Sequence, residues 1–281
     1  MCRHFAYLGT PASLRELILD PPHGLYRQSW APRRQAHGTV NADGFGIGWY
    51  AEADPVPARY RRDIPIWNDA SLPGIARVTR SGAVLAAVRS ATAGTAAGEA
   101  AAAPFGAGTW LFSHNGVLRK WREFEPPLGV RLNDLEALTD SALLWALILG
   151  QLRAGKPMDR ALATVIAKVE SAGGSGRFNF LLTDGKSIAA TAAGDALWYR
   201  RAGGGVTVAS EPTDDLAGWA EVPARHLLTA VPGEVSVRPL TAAPSPERPQ
   251  AAGEVPAAEA ATVTQAATVT QAATATEGAA S

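Results

Sequence analysis

Hydrophobic positions along this chain keep a period of two over short stretches, take on a helical period in the middle, and then return to two. Residues 2–8 alternate loosely through Phe5, Tyr7 and Leu8, as a short buried strand would, and Gly9-Thr10-Pro11 then turns the chain. Ser13-Leu14-Arg15-Glu16 reads as a capping box opening a short helix with Leu14, Leu17 and Ile18 on one side, ended by Pro21-Pro22. From 25 to 44 the chain is polar and broken by Pro and Gly, yet it holds Tyr26, Trp30, Arg33, Arg34 and His37. Long loops of this composition line sites, and an ordinary solvated loop fits as well.

At 44–50 glycines occupy every second position of a strand, so one face carries no side chain and another backbone or a ligand can come close. No helix follows, which rules out a dinucleotide-binding loop. Residues 83–89 form a nearly continuous apolar run that delivers Arg89 to its end, and 110–114 form another strand closed by the turn pair Asn115-Gly116. Helical spacing appears at 140–151 (Leu143, Leu144, Leu147, Ile148) and at 159–170 (Leu162, Val165, Ile166, Val169). Short strands follow at 178–183, 187–192, 196–201, 206–209 and 235–239, the first two joined by Asp184-Gly185. Two helices among many strands, without regular alternation, predict an α+β domain over 2–241 built as a layered sandwich. From 242 to 281 the composition collapses to Ala, Thr, Pro, Glu and Gln, with Thr-Val-Thr-Gln-Ala-Ala repeated at 262–267 and 268–273, the signature of a disordered tail.

Composition narrows the class. The 281 residues are 47% hydrophobic, enough for a sizeable core, and 26 basic residues balance 26 acidic ones. That balance gives no electrostatic pull toward nucleic acid or an anionic membrane. A lone cysteine excludes an internal disulfide, and no paired Cys/His spacing points to zinc. Without a basic-then-apolar leader or a membrane-length apolar run, the chain is expected to be soluble and cytoplasmic.

The lone cysteine is Cys2, which removal of Met1 exposes as a first residue carrying both a thiol and an α-amine. Their ordinary pKa values, about 8.5 and about 7.7–8.0, suit a nucleophile and its own base. Amide hydrolysis also needs oxyanion donors, and the Asn115 side chain and the Gly116 N–H offer two, worth about 3–4 kcal/mol of barrier. Arg89 is a fork for a carboxylate, and Asp140 can hold an ammonium; together they fit the α-carbon end of a γ-glutamyl group. Singly, each has a plainer explanation: a turn, a surface ion pair, a helix cap.

Taken in order, Met1-Cys2, Val88-Arg89-Ser90-Ala91-Thr92, Ser113-His114-Asn115-Gly116 and Thr139-Asp140-Ser141 resemble the motifs of class-II glutamine amidotransferases, which are N-terminal nucleophile hydrolases. The resemblance implies a four-layer αββα sandwich and hydrolysis through a γ-glutamyl thioester on Cys2, with no metal and no cofactor. It implies that Asn115 and Gly116 form the oxyanion hole, that Arg89 and Thr92 bind the glutamyl carboxylate, and that Asp140 binds its amine, with His114 as a further substrate contact. Where the commoner motif has Trp and His, this chain has Ser90 and Ala93. The stretches 2–9, 31–35, 41–46 and 209–212 are further similar to a stand-alone group that removes glutamate from a γ-glutamyl sulfoxide conjugate in ergothioneine biosynthesis. That small molecule ends in a trimethylammonium and an imidazole, for which the faces of Trp30, Phe45 or Trp49 are candidates. The alternatives are a glutaminase component feeding a separate synthase and a non-catalytic binding module. Oligomeric state is not readable from the sequence.

Overall fold

The structure is a computed structural model that describes residues 2–35, 38, 40–91 and 97–241. Thirteen strands are found among them: β1 (Arg3–Ser13), β2 (Phe45–Ala51), β3 (Asp54–Arg62), β4 (Arg80–Val88), β5 (Phe105–Ala107), β6 (Trp110–Leu118), β7 (Gly176–Thr183), β8 (Ile188–Ala192), β9 (Trp198–Ala202), β10 (Gly205–Ala209), β11 (Ala220–Glu221), β12 (His226–Val231) and β13 (Glu234–Pro239). The α-helices among the same residues are α1 (Leu25–Gln28), α2 (Leu72–Val78), α3 (Glu125–Leu128), α4 (Asp140–Arg153) and α5 (Met158–Ser171). The strands pair antiparallel into a seven-stranded sheet, ordered β11-β9-β10-β1-β4-β2-β3, and a six-stranded sheet, ordered β13-β12-β8-β7-β6-β5.

Alternation along each strand sorts side chains into layers. Ala6, Leu8 and Leu85 of the first sheet meet Leu111, Leu181 and Ala190 of the second in the core between the sheets. On the outer side of the first sheet, Phe5, Phe45, Ile47 and Val84 pack under Leu14, Ile18, Leu25 and Leu72. On the outer side of the second, Phe112, Phe178 and Phe180 pack under α4 and α5, with Phe112 stacked 5.4 Å from Trp145. The order is therefore helix, sheet, sheet, helix: the αββα sandwich that the motifs implied.

The bare face of β2 is what lets the sheets close. A Cβ on Gly46 would lie 2.3 Å from the Ala103 carbonyl oxygen, and one on Gly48 would lie 2.6 Å from Leu111 Cδ1. The capping box forms as read: Ser13 N–H donates to Glu16 Oε2 at 2.7 Å and Glu16 N–H donates to Ser13 Oγ at 3.2 Å.

Several local expectations need correction. Gly9-Thr10-Pro11 is no turn: β1 runs on to Ser13 across a bulge between Leu8 and Ala12. Asn115-Gly116 is no turn either, because β6 continues through it and pairs Asn115 with Asn179 and Gly116 with Phe178. Strand β3 went unread because its charges and two prolines suit only an edge, which is where it lies. The tail 242–281 lies outside the described residues.

Candidate active site

The central ladder builds the site. Leu8, Ala6 and, by the same alternation, His4 and Cys2 point between the sheets, while Phe5 points outward. In the neighbouring strand Leu85, Ala87 and then Arg89 share that inner side. The register pairs Arg3 with Val88, and carried one residue further it sets Cys2 opposite Arg89. Arg89 is held there by an extension of the β2–β4 pairing, its N–H donating to the Gly44 carbonyl at 2.8 Å and its carbonyl accepting from Asp43 N–H at 2.9 Å. The Cys2 Sγ stands 3.9 Å from the Ser90 carbonyl oxygen.

One cavity collects Cys2, Arg89, Ser113, His114, Gly116 and Asp140. Asp140 arrives as the first residue of α4, where Thr139 caps the helix by accepting from Ala142 N–H at 3.1 Å. The buried Asp140 carboxylate accepts from Leu118 N–H at 2.9 Å and Ser141 N–H at 2.8 Å, which ties the helix start to the end of β6. Burial pushes the Cys2 thiol up; the positive chain terminus and, less strongly, the Arg89 charge pull it back, and the Asp140 charge pushes it further. A cation and an anion thus act on one sulfur.

Asn115 is fully buried on the inner face of β6, its Nδ2 3.4 Å from Ser210 Oγ. His114 points the other way, stacked over Phe178. Its Nε2 lies 2.9 Å from the Arg177 carbonyl, which can only accept, so Nε2 carries the proton and Nδ1 receives the Ser141 hydroxyl at 3.0 Å. Burial keeps that ring below its usual pKa, against the pull of Asp140. With both nitrogens committed to the protein, His114 lines the cavity as a brace and offers no free ring nitrogen to a ligand. Gly116 makes that brace possible, since a Cβ there would fall 2.0 Å from the Arg177 carbonyl oxygen and 2.5 Å from His114 Nε2.

Not every candidate reaches the cavity. Trp49 and Phe45 alternate with the β2 glycines and so face the outer layer. Trp30 sits on the same outer side, edge-on to Tyr26 at 4.9 Å and to Trp67 at 5.7 Å. The expectation that Trp30 and Trp49 meet the substrate is corrected accordingly: the glycine pattern that opens one side of β2 sends its aromatics to the other. Arg33 pairs with Asp215 at 2.7 Å and Arg34 lies over Trp198, both pinning the loop. Thr92, Ala93 and His37 lie outside the described residues.

Other residues were missed. Arg3, buried beside the nucleophile, donates from Nε to Gln35 Oε1 at 2.9 Å. Glu211 accepts from the N–H groups of Arg33 and Arg34 at 2.9 and 2.6 Å, and Ser210 Oγ accepts from His4 N–H at 3.0 Å. The segment 209–212 therefore ties the polar loop to β1. The strand alternation that placed Cys2 was signal enough to find His4.

Known proteins were compared with this chain. Residues 24–208 match the family described as glutamine amidotransferases class-II. The γ-glutamyl-hercynylcysteine sulfoxide hydrolase of Mycolicibacterium smegmatis is 45% identical over 240 residues, covering 85% of this chain and all of that protein. A protein from Silicibacter pomeroyi described as a glutamine aminotransferase class-II domain protein superposes with a TM-score of 0.62 at 26% identity, covering 85% of this chain and all of that one. The glutamine phosphoribosylpyrophosphate amidotransferase of B. subtilis, at 17% identity and a TM-score of 0.59, covers 85% of this chain and 49% of its own, and shares the fold. With nearly two thirds of its length inside the family's match and a full-length relative at this identity, the chain belongs to the class-II glutamine amidotransferases.

Proposed function

We propose that this protein is an amidohydrolase that cleaves the γ-glutamyl amide of γ-glutamyl-hercynylcysteine sulfoxide, giving glutamate and hercynylcysteine sulfoxide. The observation that carries it is one cavity lined by Cys2, Arg89 and Asp140, which brings a sulfur, a guanidinium and a carboxylate together. The name of the mycolicibacterial relative supplies the conjugate.

In this reading Met1 is removed and the freed α-amine takes the Cys2 proton, directly or through one water. Arg89 holds the glutamyl α-carboxylate and Asp140 the α-ammonium, which sets the γ-carbonyl against the sulfur. The thiolate attacks that carbon, and Asn115 Nδ2 and Gly116 N–H donate to the oxygen as it turns negative. Collapse breaks the carbon–nitrogen bond, the α-ammonium gives its proton to the departing amine, and a glutamyl thioester remains. Water, deprotonated by the same amine, then attacks the thioester, releases glutamate and returns the thiol.

Incubation of the purified protein with the sulfoxide conjugate and, separately, with glutamine, followed by mass spectrometry of products, tests the proposal. Glutamate release from the conjugate, lost by orders of magnitude in Cys2→Ala with folding intact, is the expected result. Equal turnover in Cys2→Ala, or an intact mass that retains Met1 in the active protein, refutes the mechanism.

A further inference from the structure

Directly behind the nucleophile the space between the sheets turns from apolar to polar. Going along β1 toward Cys2, Leu8 and Ala6 give way to His4; along β6, Leu111 gives way to Ser113 and Asn115. His4 is completely buried, and neither ring nitrogen has a hydrogen-bond partner among the described residues. The same holds for Asn115 Oδ1 and for Ser113 Oγ, both also completely buried. Leaving such groups unpaired costs roughly 1–3 kcal/mol each, so three on facing strand sides demand a common explanation. They are joined already at one point: Ser210 Oγ takes the His4 N–H at 3.0 Å and lies 3.4 Å from Asn115 Nδ2.

The valences match one for one. Burial drives the His4 ring down to a pKa of about 3, so at neutral pH it offers one N–H donor and one lone pair. Asn115 Oδ1 needs a donor, and the Ser113 hydroxyl needs an acceptor. We propose that His4 is a positioning residue for the oxyanion hole: paired through buried water with Asn115 Oδ1 and Ser113 Oγ, it fixes the Asn115 amide with Nδ2 toward Ser210 and the reaction cavity. One Nδ2 hydrogen is then spent on Ser210 and the other is free for the oxyanion. This rests on the function proposed above, in which Asn115 donates to the tetrahedral oxygen. A polar cluster at this point whose side-chain atoms lack protein partners, where buried polar groups further along the same faces (Ser81, Thr183 and Tyr50) are hydrogen-bonded to the chain, is the arrangement such a role requires.

A double-mutant cycle on the full chain is the test, using the sulfoxide conjugate as substrate. His4→Leu is expected to lower kcat about 10-fold or more with KM within 3-fold, and His4→Gln, which can still donate, to recover most of it. Against an Asn115→Ala background, itself expected to lose about 10²–10³ in kcat, His4→Leu should cost nothing further, because the group it orients is gone. Full kcat in His4→Leu, or losses that multiply, overturns the inference while leaving the wild-type activity, and so the functional proposal, standing. Absence of wild-type turnover on every γ-glutamyl amide overturns the functional reading first. A second readout is independent of turnover and of whether His4→Leu folds: an atomic-resolution crystal structure of the wild-type protein. Water within hydrogen-bond reach of both His4 and Asn115 Oδ1 is expected, and a dry gap there sinks the proposal.

Discussion

At the scale of single residues the Cys2 sulfur answers first to burial, then to the positive chain terminus, and after these to the opposed charges of Arg89 and Asp140. Arg89 favours the Cys2 thiolate, whereas burial and Asp140 disfavour it. Replacing Arg89 with Met removes the favourable charge, so the sulfur should ionise at higher pH. The rate of alkylation by iodoacetamide against pH should show its midpoint moved upward, and an unmoved midpoint contradicts the electrostatic account. His4 gives a second test, of stability. Its folded pKa of about 3 is below the unfolded value of 6.5, so between these two the unfolded chain binds a proton that the folded chain does not. Stability should therefore fall as pH drops below about 6.5, by up to about 1.4 kcal/mol per unit from this group, with buried His114 acting in the same sense. Urea midpoints across pH 4–7 should slope less in His4→Gln than in the parent; equal slopes refute it. Cys2, Arg89 and Asp140 could be singled out as candidates because each has a side chain whose chemistry announces it and lies at or just beyond a strand or helix end, and the structure brings them to one cavity; Asn115 was singled out as part of a turn and lies inside β6. Their bracing was not legible: His114 looked like a substrate contact until its two nitrogens were traced to Arg177 and Ser141.

Among elements, β2 shows most clearly how sequence pattern becomes geometry. Its glycines admit the Ala103 carbonyl and the Leu111 side chain, so the strand's bare side serves close contact with the chain that packs on it. Gly46→Ala should destabilise by about 1–3 kcal/mol or more, since a main-chain carbonyl cannot move aside as a side-chain tip can. Gly74, in α2, is the contrast: a Cβ there meets nothing within 4 Å, and Gly74→Ala should stabilise by up to about 1 kcal/mol. Thermal melts of the two variants should move in opposite directions, and a shared sign denies the packing argument. The same strand explains the misplaced aromatics. A period of two tells which residues share a side, but not which side faces the partner sheet, and Trp49, a candidate for the substrate's cationic end, lies on the outer one. Asn115-Gly116 failed for a related reason, because a turn-forming pair is overridden when both neighbouring residues hold their places in a ladder.

For the whole molecule, the apolar periods foretold two helices and most of the strands, and the αββα order followed once family motifs were joined to them. Sheet order did not follow, because antiparallel neighbours such as β1 and β10 are far apart in sequence and no local signal pairs them. The second sheet ends in β13, which is sealed by Leu240 N–H donating to the Arg225 carbonyl at 2.7 Å. A chain stopped after Thr241 should accordingly keep the melting temperature and the kcat of the full-length protein; a loss of either would give the Ala- and Thr-rich end a part in the catalytic unit.

Strand β1 lies between β10 and β4, in the interior of the seven-stranded sheet, and Cys2 immediately precedes its first residue. In the proposed mechanism an affinity handle or fusion partner attached ahead of Cys2 would cap the α-amine beside the cavity that Cys2 lines. Recombinant versions meant for kinetics should carry their handles at the opposite terminus, and a front-tagged preparation should regain activity only after a protease trims it back to the sulfur-bearing residue.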